Sequence, residues 1–354
     1  MNEKKIKVLI VDDSSSVLDL LSYILGSDPQ IEVVGTATNG SRALAMLEKL
    51  KPDVIAMDID MPVMDGIETT RTIMETQPIP IIIVTASYSR SETEKTFLAL
   101  DAGALSIMAK PRGMGHPDHA KMADTLVKAV KTYSEIKLVK RRRRPEAPIN
   151  HVHHDFEEAI HGDDIPELVV IGASTGGPPA IQLILRNLPS NLPAPILIVQ
   201  HIAEGFLESF RDWLVKTTGQ QVHIAGNGER AIAGHCYLAP DHMQMGVNRS
   251  GRMELSCNNQ MYTICPSVSY LFGSAANSYG RKVIGILLTG MGKDGAAELK
   301  LLREKGAVTI AQDKESSVIY GMPGEAQKIG AAKYILPPPG IAAAVARLLK
   351  RELV

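Results

Sequence analysis

Leu168-Val-Val-Ile-Gly-Ala-Ser-Thr-Gly-Gly177 runs an apolar segment straight into a Gly-x-Ser-x-Gly turn, and its reading decides the fold of the second half of the chain. Four β-branched or leucine residues ending at a glycine suit a short strand buried on both faces. A strand that breaks at Gly172-x-Ser174-x-Gly176 fits a nucleophile elbow, in which glycines permit the sharp turn that lifts a serine hydroxyl to the head of a helix. The competing reading is a phosphate loop, because backbone N–H groups at a helix start also bind anions. No Gly-Lys-Ser/Thr follows and the dinucleotide glycine spacing is absent, so the elbow is preferred.

Working outward, the same alternation of short β-branched runs and amphipathic stretches extends through most of the 354 residues. In the C-terminal half the strands are Leu168–Ile171, Ile196–Val199, Val283–Leu288 and Val308–Ala311. In the N-terminal half they fall near Lys7–Val11, Val33–Thr36, Val54–Met57, Ile81–Thr85 and Ala104–Met108, with helices starting near Ser14, Gly40, Gly66, Ser91 and Pro117. The fold class expected is α/β, with a doubly wound sheet in each half. Between them, Lys137 to Asp164 breaks the pattern: it holds Arg141 to Arg144, two prolines and four of the ten histidines, and has no apolar period. The expected organisation is a domain over residues 1–133, a flexible basic and His-rich linker over 134–165, and a second domain over 166–354.

Composition narrows the function classes. Lys plus Arg (38) nearly balances Asp plus Glu (39), so no polyanion-binding or membrane-coating field is expected. Three cysteines without a C-x-x-C pair suit a reducing compartment, and no signal-peptide core or bilayer-length apolar run is seen. A cytoplasmic protein without membrane insertion is expected. The Arg141–Arg144 run could be a nucleic-acid patch, but no recognition helix follows it, and a solvated linker with no nucleic-acid partner is preferred. His151, His153, His154 and His161 lack a cysteine partner or framing fold for a metal.

In open parallel sheets functional side chains gather beyond the carboxyl ends of the strands. In the first domain those positions hold Asp12 and Asp13, Asp58, Thr85, and Lys110 with Pro111. Three carboxylates converging with a hydroxyl and a lysine would bind Mg²⁺ through hard oxygen ligands and leave one carboxylate to attack a phosphoryl group. Helix capping by the same aspartates is the plainer alternative. Val11-Asp-Asp-Ser, Met57-Asp-Ile-Asp-Met-Pro-Val-Met-Asp-Gly66, Thr85-Ala-Ser and Lys110-Pro resemble the response-regulator receiver family, whose sheet is flavodoxin-like. The resemblance covers residues 1 to about 133. It implies that Asp58 accepts the phosphoryl group from a chemotaxis histidine kinase, that Asp12 and Asp13 help Asp58 hold Mg²⁺, and that Thr85 and Lys110 contact the attached phosphoryl group. Thr85 and the loop after it would then act as the switch.

A serine nucleophile needs a base. The strand Pro195-Ile-Leu-Ile-Val-Gln-His201 delivers a histidine to the same edge as Ser174, while His223, His235 and His242 lie among turns and short strands. Ile286-Leu-Leu-Thr-Gly-Met-Gly-Lys-Asp294 then places an acid there to orient the imidazole. The order Ser, His, Asp is not that of α/β-hydrolases. Ile171-Gly-Ala-Ser-Thr-Gly-Gly, Gln200-His, Tyr237-Leu-Ala-Pro, Pro266-Ser-Val, Leu271-Phe, Leu288-Thr-Gly-Met-Gly, Asp294-Gly-Ala, Ala311-Gln-Asp and Tyr320-Gly-Met-Pro resemble the CheB methylesterase catalytic domain across residues 166 to 350. This resemblance implies a Ser174, His201, Asp294 triad with no cofactor for ester hydrolysis, and an oxyanion site at the backbone near Met291. The implied substrate is a glutamate γ-methyl ester on a chemoreceptor helix, released as glutamate and methanol, with deamidation of receptor glutamines as a second activity. It also implies that the unphosphorylated receiver packs against the esterase and blocks access to Ser174. Two departures, His201-Ile-Ala and Cys265-Pro-Ser-Val-Ser, bear on the substrate groove. A non-catalytic adaptor would need no Ser, His and Asp set. A hydrolase of another protein ester or amide is the remaining alternative.

Overall fold

The structure is a computed structural model that describes residues 4–85, 90–136, 138, 165–257, 262 and 264–349. The chain divides into two compact units, residues 1–145 and 146–354. Most of the expected linker lies outside the described residues.

The first unit alternates strand and helix: β1 (Ile6–Val11), α1 (Ser15–Gly26), β2 (Ile31–Ala37), α2 (Gly40–Leu50), β3 (Val54–Met57), α3 (Gly66–Thr76), β4 (Ile81–Thr85), α4 (Arg90–Ala102), β5 (Ser106–Ala109) and α5 (His119–Ser134). The strands are parallel in the order β2-β1-β3-β4-β5. Helix starts are set locally: the side chains of Asn39 and Asp65 accept the N–H groups of Arg42 and Glu68 and cap α2 and α3. Helices α1 and α5 cover one face of the sheet, with Val8, Ile10, Val54 and Val84 in one cluster with Leu21, Leu25, Leu126 and Val130. The chain moves from β1 to β2 on one side and then returns to β3 on the other. The switch point of the sheet therefore lies between β1 and β3, where Asp12 and Asp58 emerge.

The second unit contains β6 (Leu168–Ala173), α6 (Gly177–Arg186), β7 (Ile196–Gln200), α7 (Leu207–Thr218), β8 (Gln221–Ile224), β9 (His235–Leu238), β10 (Gln244–Val247), β11 (Met253–Ser256), α8 (Val268–Tyr279), β12 (Val283–Leu287), α9 (Ala296–Glu304), β13 (Val308–Gln312), α10 (Met322–Lys328), β14 (Tyr334–Leu336) and α11 (Pro338–Leu348). Seven parallel strands form one sheet, β14-β13-β12-β6-β7-β9-β8, and β10 and β11 make a separate antiparallel pair. Every residue of β6, β7, β12 and β13 is buried. That is the uniformly apolar signature of a sheet covered on both faces. Here too the chain reverses: it builds outward from β6 through β7, then returns to β12 on the other flank, so the switch point lies between β6 and β12. Both units are doubly wound α/β sheets, as the strand pattern predicts. The sheet of the second unit has three more strands than the four strong apolar runs marked, because β8, β9 and β14 are three or four residues long and only partly buried at one or more positions.

Candidate functional site

At the switch point of the first sheet, Lys110 Nζ lies 2.7 Å from Asp12 Oδ2 and 3.1 Å from Asp58 Oδ2. Carboxylate oxygens of Asp12, Asp13 and Asp58 fall within 4.8 Å of one another, Asp13 being the exposed member. Thr85 is buried at the end of β4, and its carbonyl accepts the N–H of Lys110, which ties the lysine strand to the hydroxyl strand. Residues 86–89, the loop expected to move with Thr85, lie outside the described residues.

Burial pushes the Asp58 carboxyl up to about 6; the Lys110 cation pulls against it, and the neighbouring Asp12 charge adds to the rise. Burial also works against the Lys110 cation, but the adjacent Asp12 and Asp58 carboxylates prevail and hold its pKa above the ordinary lysine value. Asp12 Oδ1 accepts the Ser14 N–H at 3.0 Å in the turn before α1, whose N-cap is Ser14 rather than an aspartate. The other oxygen, Oδ2, is buried and lacks an aligned hydrogen bond even though Lys110 Nζ is near, so the lysine contact is one of proximity and charge. A buried carboxylate oxygen without an aligned donor, next to two more carboxylates, suits a hard divalent cation.

In the second sheet Ser174 stands one residue past β6. Its N–H donates to Thr289 O at 3.0 Å, and its carbonyl accepts Gly177 N–H at 2.8 Å as the chain turns into α6. Gly176 makes that turn with φ +77°, a backbone conformation that a side chain would strain. Gly290, in the loop after β12, approaches so closely that a Cβ there would stand 2.7 Å from Ser174 Cβ. His201 stands one residue past β7. Since Ala173 and Gln200 are register partners and His201 N–H donates to Ala173 O at 3.0 Å, the serine and histidine leave adjacent strands side by side.

Asp294 reaches the same edge from the β12 loop. His201 Nε2 lies 3.1 Å from Asp294 Oδ2 but without hydrogen-bond alignment. The carboxylate is also gripped by the N-terminus of α8: Ser267 Oγ donates to Oδ1 at 2.9 Å, Val268 N–H to Oδ2 at 2.8 Å and Ser269 N–H to Oδ1 at 3.0 Å. Burial raises the acid, but the His201 ring and the Val268 and Ser269 amides outweigh it and hold the carboxyl down at about 2. Met291 is 46% exposed and, with Asp294, Lys293, Tyr262, Ile264 and Glu298, lines a cavity of about 670 Å³. Ser174 and His201 are not among its walls, so the cavity flanks the serine rather than enclosing it.

The rival histidines are engaged elsewhere. His223 Nε2 and His235 Nδ1 pair at 2.8 Å on β8 and β9, and exposed His242 pairs with Glu204 at 3.1 Å. Sequence reasoning missed the grip of Ser267, Val268 and Ser269 on Asp294. In the sequence the Cys265-Pro-Ser-Val-Ser segment stands out only as a departure from the family pattern. A serine capping a helix is a sequence signal, but that the cap also holds a carboxylate from another strand is visible only in three dimensions.

The CheB methylesterase family pattern matches residues 169–345, and the response-regulator receiver pattern matches residues 8–116. A protein-glutamate methylesterase/protein-glutamine glutaminase of Nitrosospira multiformis is 49% identical over 347 residues, 97% of each chain. The chain belongs to the CheB methylesterase family. A CheB-family relative of the same description in Geobacter metallireducens is 48% identical over 97% of this chain and 99% of its own. The crystal structure of the Thermotoga maritima CheB methylesterase catalytic domain is 37% identical, covers 52% of this chain and 98% of that one, and superposes with a TM-score of 0.50. Family membership thus spans both units.

Proposed function

We propose that this chain is a phosphorylation-activated serine hydrolase that removes methyl groups from glutamate γ-methyl esters of chemoreceptors and deamidates receptor glutamines. The observation that carries the reading is that Ser174 and His201 leave the adjacent strands β6 and β7, with Asp294 3.1 Å from the His201 ring, in a CheB-family chain. In the reaction Ser174 Oγ attacks the ester carbonyl while His201 takes its proton. Because Nε2 faces Asp294, Nδ1 is the ring nitrogen for that transfer. The imidazolium then protonates departing methanol, and a water activated by the same nitrogen releases glutamate and restores Ser174; with glutamine the leaving group is ammonia. Asp294, held ionised by its donors, fixes the ring and stabilises its charged form. Backbone N–H groups near Met291, in the loop that Gly290 presses against Ser174, are the proposed oxyanion donors.

In the receiver, Asp58 is the proposed phospho-acceptor, with a chemotaxis histidine kinase as donor. Asp12, Asp13 and Asp58 would hold Mg²⁺, which neutralises charge on the transferring phosphoryl oxygens. Lys110, 3.1 Å from Asp58, and Thr85, at the end of the neighbouring strand β4, are the proposed contacts to the attached group. Phosphorylation then relieves a restraint by the receiver on the esterase. Among the described residues no helix is long and apolar enough to cross a membrane, and a cytoplasmic site of action against receptor helices follows from the proposed reaction. The test is methanol release from methylated receptor fragments with Ser174→Ala as control; release undiminished in that variant would refute the reading.

A further inference from the structure

Gln200 is a buried polar side chain that the reaction does not use, 5% exposed, at the end of β7. Its amide nitrogen donates twice, to Ser174 O at 2.9 Å and to His201 O at 2.6 Å. Both hydrogens of one NH₂ group are therefore spent on the main chain of the proposed nucleophile and the proposed base. The opposite atom, Oε1, is buried and has no hydrogen-bond partner. A methyl group on Gly177 would lie 2.1 Å from that oxygen, so glycine there leaves the space the amide occupies. An unsatisfied buried acceptor is a cost that native folds seldom keep without a return elsewhere. Here the return is geometric, since two loops leaving neighbouring strands are locked to one another by a single planar group.

We propose that Gln200 is a positioning residue that fixes the spacing between Ser174 and His201. The inference rests on the assignment of those two residues as nucleophile and base. Each strand end has its own ladder bond, Ser174 N–H to Thr289 O and His201 N–H to Ala173 O, but those bonds fix each residue's nitrogen side. The Gln200 amide ties the carbonyl of His201 to that of Ser174, which Gly177 N–H also holds, and so sets the direction in which the two chains depart relative to one another.

The experiment compares Gln200→Met, which has similar volume and no donor, with Gln200→Glu, which keeps the shape. Methanol release and phosphonylation of Ser174 by a fluorophosphonate probe, in which the serine oxygen displaces fluoride from phosphorus, are measured against pH in the full-length protein, with rates normalised to the folded fraction by near-ultraviolet circular dichroism. Gln200→Met should lower kcat and the phosphonylation rate about 10- to 100-fold with KM within about twofold, at every pH, since a misplacement of about 1 Å can cost that much. A carboxyl facing two carbonyls in a buried site stays protonated to higher pH than usual, and its single O–H can restore one of the two bonds. Gln200→Glu should therefore outperform Gln200→Met at low pH and lose that advantage as pH rises through its carboxyl pKa. A wild-type rate in Gln200→Met, a loss that vanishes on normalisation to the folded fraction, or a Glu variant no better than Met at any pH would each overturn the proposal. If Ser174→Ala itself kept full activity, the failure would lie with the nucleophile assignment instead.

Discussion

Ser267 donates its hydroxyl to Asp294 Oδ1 at 2.9 Å, so the cap of one helix also anchors a carboxylate that faces the imidazole. Removing that donor leaves the two α8 amides in place. Ser267→Ala should lower methanol release about three- to tenfold, the scale of one ordinary net hydrogen bond of about 1 kcal/mol, since two donors to the carboxylate remain. Asp294→Asn removes the charge itself and should cost about 10³- to 10⁴-fold. Steady-state rates on the two purified variants check the ranking. Because the folded carboxyl titrates near 2 rather than near 4, its charge should contribute stability that is complete above about pH 4 and is lost as pH falls through about 2. Denaturant titrations of wild type and Asp294→Asn across that window should converge at the acid end.

Ser174→Ala and His201→Ala should each reduce turnover by at least about 10⁴-fold, and the double variant should be little worse than either, because the two act as a unit. Circular dichroism should show both folded. Additive losses in the double variant would mean that the residues act independently.

Incubation with a small phosphodonor and Mg²⁺ should modify wild type and leave Asp58→Asn unmodified, with chelation of the metal abolishing the reaction. Intact-mass measurement reads this directly. Modification of Asp58→Asn at the wild-type level would move the acceptor, most simply to Asp13.

The raised pKa of Asp58 has a stability consequence of its own. Its folded value of about 6 exceeds the ordinary value, so ionisation opposes folding, and the penalty grows as pH rises from about 4 to about 6 and is constant above. In the presence of a chelator, Asp58→Asn should match wild type near pH 4 and exceed it above pH 6 by about 2 to 3 kcal/mol at most. Added Mg²⁺ should shrink that difference by stabilising the wild-type carboxylate. Thermal melts of both proteins across this range test the sign.

A fragment from about Pro166 to Val354 should release methanol faster than the unphosphorylated full-length protein and should not respond to a phosphodonor. The second unit has its own continuous core, including Val170, Leu197, Phe272, Leu287 and Leu299, which supports its folding alone. A fragment no faster than the unphosphorylated whole would mean that the receiver promotes catalysis rather than restraining it.

The strand ends were the most legible part of the sequence. Asp12, Asp58, Lys110 and Ser174 each follow an apolar run directly and His201 follows one polar residue later, after Gln200, so reading the first polar residues past each strand finds them, and within each sheet the strand order groups its own set. Boundaries were less legible where burial does not coincide with pairing. Ala104 and Leu105 are buried and read as strand, yet β5 begins at Ser106, because those two residues pack in the approach to the sheet. Strands as short as Tyr334–Leu336 cannot display a period at all. The grip of the Ser267–Ser269 segment on Asp294 spans 25 to 27 positions and depends on the path of the intervening chain, which no local pattern encodes.

Ser174, His201 and Asp294 issue from β6, β7 and β12, three neighbours in the middle of a seven-stranded sheet whose rims are β14 and β8. Rim strands open by local fluctuation at low free energy, whereas central strands exchange their amide hydrogens only when the whole domain unfolds. Fraying at either rim therefore leaves the hydrolytic centre assembled. Amide protons of β6, β7 and β12 should be the slowest to exchange in this domain, and the temperature at which hydrolysis fails should coincide with its global melting.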